Sequence, residues 1–451
     1  MSGDRYTPDS GDPHIGVRHY DLTLTYKPAT NRLDGTAVIR GVARMATRSL
    51  AFDLVGLRAS RVRVAGDRTA AFRQSNRKLT VRLGAPLAAG DEFAVTVTYG
   101  GAPLPRRTRW GAIGWEELAD GVLVASQPTG AATWFPCNDV PRDKATYRIA
   151  LTTDSGYAAH GGSLVSAATR GGKTTWAFAL DAPTPSYLVA LHIGRYATER
   201  LEGGPVPVRL LYPRPLARRA RHDLADLPGM ITAFQDAFGP YPFDEYTVVV
   251  TADELEIPLE AQGSATFGAN HIDGAGSIER LVAHELAHQW FGNSVGLAQW
   301  CDIWLNEGFA CYAEWVWSER SGGPSAQQKA LAHHQSLRGQ PQDLLLADPG
   351  PDLMFDDRVY KRGALTLHAL RLTVGDDTFF DVLRAWTGRY GGATATTADF
   401  VELAAQVAVR PLGDLFDAWL HRLPLPALPA RQEQEPAPLT TPIAHVRRRP
   451  D

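Results

Sequence analysis

At 451 residues the chain is too long for one ordinary domain, so two or three are expected. Hydrophobic residues make up 44% and charged residues 21%, enough apolar material for sizeable cores and against a disordered chain. The formal net charge is -3 and the main body holds no long basic run, so nucleic acid and anionic membranes are not expected partners.

The N-terminus, MSGDRYTPDSGDPHIG, has no apolar stretch after a basic start, so no secretory signal is expected and residues 1–12 read as a flexible N-terminus. No run of 18 or more apolar residues predicts a membrane span. The cysteines are Cys137, Cys301 and Cys311. Three is odd and few, and no CxxC pair exists, so they read as reduced, mostly buried thiols of a cytoplasmic protein.

Residues 13–200 predict a mostly antiparallel β domain. HYDLTLTYKP, VRVAG, KLTVRLG, EFAVTVTYGG and YRIALTT alternate apolar and polar residues, and Gly and Pro punctuate them. Residues 201–425 predict a mainly helical domain, which makes the chain multidomain α+β. RRARHDLADLPGMITAFQDAFG carries apolar residues at helical spacing and stops at Gly239-Pro240. YTVVVTADELEIPLE reads as a buried strand running into an edge segment. A helix is expected from Ser277, its N-cap, to Phe291, with Gly292 as the stop. A second should begin near Asn306, and others at VYKRGALTLHALRLTV, DTFFDVLRAWTGRYG and TADFVELAAQVA. Residues 426–451 read as a flexible Pro/Arg-rich tail ending in the Arg447–Arg449 run.

The chemistry concentrates at His284-Glu285-Leu286-Ala287-His288. Positions i and i+4 share one helix face, so both imidazoles can reach one metal ion. Glu285 is rotated around the helix and can reach metal-bound water rather than the metal itself, as a general base. A third ligand must come from elsewhere, and Glu307 follows His288 with 18 residues between. That gap lets one helix end at Gly292 and another return, so that Glu307 faces the first. Two His and one Glu leave a coordination position open, the pattern of a catalytic zinc, one Zn2+ per chain. Ligand type alone would also accept cobalt or manganese. Glu314, two helical turns beyond Glu307, shares its face and reads either as a contact behind the ligands or as a surface acid.

HELAHQWFGNSV followed by WCDIWLNEGFACYAEW closely resembles the aminopeptidase N and leukotriene hydrolase family of zinc peptidases, gluzincins with a thermolysin-like catalytic domain. The resemblance runs from about Val17 to Pro429. SQPTGAATWFPCND resembles the family segment that sends a glutamine, here Gln127, into the active site. VYKRGALTLHALR resembles its tyrosine motif, which implies that Tyr360 stabilises the tetrahedral intermediate. IPLEAQGSATFG stands at the family's GxMEN loop with Ile257, Leu259 and Ala261 replacing Gly, Met and Asn. It implies that Glu260 binds the substrate's free α-amino group. Some relatives carry an acid two positions after the glutamine, where this chain has Thr129. Larger relatives add a C-terminal helical domain, and this chain ends too soon for one, so a two-domain short form is expected.

The resemblance implies an aminopeptidase acting on peptides with a free N-terminus, with no obligate partner. A thermolysin-type endopeptidase would use the same zinc cluster but has no need of Glu260. An inactive scaffold would ordinarily have lost a ligand or the base. One branch of the family hydrolyses a lipid epoxide, and nothing in this chain singles that out.

Overall fold

In IGVRHYDLTLTYK the apolar residues recur at every second position from Tyr20 to Tyr26. In the computed structural model this segment is a strand, Ile15–Lys27, with Tyr20, Leu22, Leu24 and Tyr26 buried. The structure describes residues 3–64 and 68–430. Ile15–Lys27 pairs antiparallel with Arg32–Ala43 and parallel with Lys144–Asp154. It lies near the middle of an eight-stranded sheet that is otherwise antiparallel. The Ile15–Lys27 and Arg32–Ala43 backbones approach so closely that a Cβ on Gly41 would lie 2.3 Å from the Gly16 carbonyl oxygen. A three-stranded and a five-stranded sheet complete this β body, whose core is its own cluster of buried side chains.

The second body starts within the expected β domain. Strand Tyr196–Leu201 spans the expected boundary at residue 200, and it pairs with Val208–Pro213 in a second five-stranded sheet. That sheet continues through Tyr246–Val250 and Ser264–Phe267 to the edge strand Leu259–Ala261. Tyr246–Val250 is buried at every position, as its unbroken apolar run requires. Helices then dominate. The RRARHDLADLPGMITAFQDAF stretch forms two, Ala217–Asp223 and Leu227–Phe238, rather than one.

Three later helices matter most: α1 (Glu279–Ala287), α2 (Trp304–Arg320) and α3 (Asp357–Val374). The first is shorter at both ends than the expected Ser277–Phe291. Ile278, not Ser277, stands at its N-cap, and the Ser277 hydroxyl donates to Asp273. Helix Ala326–Arg338 was not expected, although Ser325 and Gln328 form a capping box at its start. Helices α2 and α3 cross where Gly308 meets Gly363: a Cβ on Gly363 would lie 2.6 Å from the Gly308 Cα. No helix among the described residues is long and apolar enough to cross a membrane.

Residues 4–12, expected to be flexible, are instead tied to both bodies. Asp4 accepts a hydrogen bond from the Trp300 amide (2.8 Å), and the Tyr6 hydroxyl bonds Asp348 (2.5 Å) and the Gly350 amide (2.7 Å). The Gly11 amide donates to Asp53 (2.7 Å) and the Asp12 amide to Asn138 (2.6 Å). Asp4, Tyr6 and Asp12 are buried, so these polar groups have taken protein partners in place of water. Elsewhere between the bodies, the half-buried Lys144 donates its ammonium hydrogens to the carbonyls of Asn293 (2.9 Å) and Ser294 (2.7 Å). Residues 431–451 of the expected tail, with the Arg447–Arg449 run, lie outside the described residues.

Candidate metal centre and active site

Helix α1 carries both histidines. His288 is one residue past its last turn but keeps helical angles (φ -55, ψ -23), so the i, i+4 relation to His284 persists. Gly292, at φ 110, then turns the chain, and a Cβ there would lie 3.0 Å from the Asn306 side chain at the start of α2. Glu307 thereby faces the histidines. Its Oε2 is 3.5 Å from the His284 Nε2 and 3.5 Å from the His288 Nε2.

The other ring nitrogens are already engaged. The His284 Nδ1 meets Glu314 Oε1 at 2.8 Å, and the His288 Nδ1 meets the Phe291 carbonyl at 3.1 Å. Acceptors at both Nδ1 atoms favour a proton there, so on a metal both Nε2 atoms would be free to serve as ligands beside Glu307. Glu314, open between two roles in the sequence, is a buried anchor of His284. Arg280 donates to both of its oxygens at 3.0 Å. Arg280 lies one turn before His284 on the same helix face, a spacing visible in the sequence but not read there.

These donors fit a metal. Ligands about 2.1 Å from a tetrahedral zinc lie about 3.4 Å apart, close to the 3.5 Å separations seen. The electrostatics agree. Burial opposes charge on His284, yet Glu307 and Glu314 outweigh it and hold the imidazole up at about 10. Two buried carboxylates beside that ring thus favour a cation. His288, deeper, is pushed down to about 4 by burial, the neutral form that a ligand needs.

Glu285 is buried, and its Oε2 has no hydrogen-bond partner in the protein. Burial and the charges of Glu307 and Glu314, against the pull of His284, push its carboxyl up to about 7. Oxygens of Glu260 and Glu285 and a nitrogen of His288 all lie within 4.8 Å of one another. Glu260 stands on the edge strand Leu259–Ala261, and the Gln127 Nε2 donates to its Oε1 at 2.8 Å across 133 residues. Burial first, then Glu307 and Glu285, raise the Glu260 carboxyl well above its usual range.

Tyr360 lies in the first turn of α3, its ring stacked on His284 with centroids 5.9 Å apart and planes at 22°. Burial and the charges of Glu307, Glu260 and Glu285 push its phenol up, so it holds its proton. Thr129 accepts from the Arg106 Nη1 at 3.3 Å, so a cation rather than an acid flanks that position.

One further polar residue escaped the sequence reading. The Gln289 Nε2 lies within 3.3 Å of the Ala261 carbonyl and its Oε1 accepts from the Gly263 amide at 2.8 Å. It bolts the 261–264 turn, and with it Glu260, to the metal helix. A glutamine next to His288 carries no local signal of that role.

Residues 17–188 match the Peptidase M1 N-terminal domain and residues 223–419 match the Peptidase family M1 domain. Mouse aminopeptidase B is 27% identical over 362 residues, covering 74% of this chain and 53% of its own length. Human glutamyl aminopeptidase is 26% identical over 337 residues, covering 68% of this chain and 34% of its own. The chain thus spans about half or less of the curated relatives it matches. The solved M1 zinc metallopeptidase of Deinococcus radiodurans superposes with a TM-score of 0.84 at 30% identity, over 96% of this chain and 100% of that one. A mutant of that peptidase bound to a Tyr-Ser-Ala substrate superposes with a TM-score of 0.88.

Proposed function

The chain belongs to peptidase family M1, and on that premise we infer that it is a zinc-dependent aminopeptidase that hydrolyses the N-terminal peptide bond of peptides. One observation carries the exopeptidase part: oxygens of Glu260 and Glu285 lie within 4.8 Å of each other and of a His288 nitrogen. In a peptide the α-amine and the carbonyl carbon of the same residue are about 2.5 Å apart. An ammonium held at Glu260 therefore brings the first peptide bond, and no later one, to Glu285 and the metal ligands.

His284, His288 and Glu307 would hold the zinc, which supplies Lewis acidity at the scissile carbonyl and makes water a stronger acid. Glu285, whose Oε2 is free of protein partners, accepts the proton of the attacking water and passes it to the leaving amine. Tyr360, protonated beside His284, donates its hydroxyl to the oxygen on which charge develops. Glu260 and Gln127 hold the substrate ammonium, their mutual hydrogen bond fixing both side chains in advance. Glu314 and Arg280 hold His284 in register.

The substrates are peptides with a free N-terminus. The test is release of the first residue from free-amine peptides and none from N-acetylated copies, with loss of activity on chelation. The alternative is a thermolysin-type endopeptidase, which the same zinc ligands would serve and which fits Thr129 at the position where some relatives carry an acid. Cleavage inside an N-acetylated peptide would decide for it. Free cysteines, with Cys137 and Cys311 buried, suit a reducing cytoplasm.

A further inference from the structure

The segment from Asp348 to Asp356 leads into α3 and is neither helix nor strand. Its own backbone bonds are turns: the Leu353 amide donates to the Gly350 carbonyl at 3.2 Å and the Asp356 amide to the Leu353 carbonyl at 3.0 Å. Asp356 then caps α3 by accepting from the Arg358 amide at 3.0 Å, and Tyr360 follows one turn later. Beyond Tyr360 the helix is fixed against α2 where Gly363 meets Gly308. Ahead of Tyr360 its course depends on what holds the 348–356 segment.

Two side chains from outside the helical body hold that segment. Tyr6, on the N-terminal arm, is buried and packs in the helical body's core. Its hydroxyl donates to Asp348 Oδ1 at 2.5 Å and accepts from the Gly350 amide at 2.7 Å, so one oxygen ties two residues of the segment. Trp110 stands at the tip of a hairpin of the β body, between strands Arg106–Thr108 and Gly111–Leu118. It packs against the same core, and its indole Nε1 donates to the Pro351 carbonyl at 2.8 Å. The pairs Arg5–Asp348 (3.0 Å) and Arg109–Asp352 (2.8 Å) lie beside these bonds, but both are solvent-exposed and add little. The restraint therefore falls mainly to Tyr6 and Trp110.

We propose that Tyr6 and Trp110 are positioning residues for the reaction: by pinning residues 348–351 from two sides they set the first turn of α3, and with it the place of Tyr360 against His284. This rests on Tyr360 being the donor to the developing oxyanion. Such contacts are sensitive to placement, and a shift of about 1 Å caused by a remote change can cost about 100-fold in rate. Loss of one of two pins moves the tyrosine by less than that.

The test measures kcat and KM for alanyl-4-nitroanilide in the metal-loaded full chain. Tyr6→Phe and Trp110→Phe keep an aromatic ring and delete the hydrogen bonds, and each is made alone and together with Tyr360→Phe. Each single variant should lose about 5- to 10-fold in kcat, with little change in KM and unchanged metal content. In the Tyr360→Phe background each should change kcat by less than about twofold, because no hydroxyl remains to be placed. A merely structural role would lower kcat by the same factor in both backgrounds. Wild-type kcat in either folded variant overturns the proposal, as does a loss that persists undiminished beside Tyr360→Phe or one confined to KM. Tyr360→Phe alone keeps the two assignments apart. Full turnover there removes the role of Tyr360 and the positioning with it, whereas a loss there beside wild-type kcat in Tyr6→Phe or Trp110→Phe overturns the positioning alone. If one of these two variants does not fold, the other, which reaches the segment from a different part of the chain, decides.

Discussion

Replacing Glu260 by glutamine keeps the shape of the proposed amine anchor and removes the carboxylate that a bound ammonium would hold ionised. The Gln127 Nε2 donates to the Glu260 Oε1 at 2.8 Å, so the new amide must turn its carbonyl to Gln127 and its NH2 to the substrate ammonium. The variant thus loses an attraction and gains a misdirected donor. Unit charges about 4 Å apart at an effective dielectric of 20 attract by about 4 kcal/mol. Desolvating the ammonium takes back part of this, leaving about 2–3 kcal/mol, the upper range for a hydrogen bond to a charged group. That corresponds to a fall of roughly 30- to 150-fold in kcat/KM. The assay compares alanyl-4-nitroanilide with its N-acetyl copy, in wild type and variant. Wild type should cleave the free amine and barely touch the acetylated copy. Glu260→Gln should lose rate on the free amine alone, so that the ratio collapses. Equal cleavage of both substrates by wild type, or an equal fall on both in the variant, refutes the anchor.

Glu285→Gln should lower kcat by about 10²–10⁴ while metal content by atomic absorption stays at one per chain; retained turnover rules out the base. Tyr360→Phe should cost about 10²–10³ in kcat with little change in KM, as for loss of an oxyanion donor; a change confined to KM would make Tyr360 a binding residue only. Glu314→Gln removes the charge behind His284 and should weaken metal binding about 10- to 100-fold in a chelator competition; an unchanged constant would reduce Glu314 to a packing role. Burial lowers the Lys144 ammonium to about 7, whereas an unfolded lysine stays protonated to about 10. Between these values the unfolded chain binds more protons, so this residue's contribution to stability rises with pH. Relative to Lys144→Met, wild type should gain about 2 kcal/mol from pH 7 to pH 9 in denaturant melts, and parallel curves would contradict the shift.

Much of the site is local and therefore legible. The four-residue spacing of His284 and His288 puts two nitrogens on one helix face in any fold that keeps the helix. Glu307 and Glu314 share a face by the same arithmetic. Alternation in HYDLTLTYKP and the unbroken apolar run at YTVVV identify a half-exposed and a buried strand for equally local reasons. The capping box at Ser325 was there to be read as well. Gln127, Tyr360 and Glu260 were reached only through resemblance to a family, because nothing in their own neighbourhoods marks them.

By itself the sequence determined which side chains share a face, because helix and strand periods are properties of the backbone. Which faces meet is decided by packing between segments far apart in the chain. Gly308 and Gly363 have no side chains to hold α2 and α3 apart, and their contact brings Tyr360 to within 5.9 Å of the His284 ring. Gln127 reaches Glu260 only because the β body docks against the edge strand. The arm at residues 4–12 looked unstructured because its partners, Asp53, Asn138, Trp300 and Asp348, lie at positions that no local pattern connects to it.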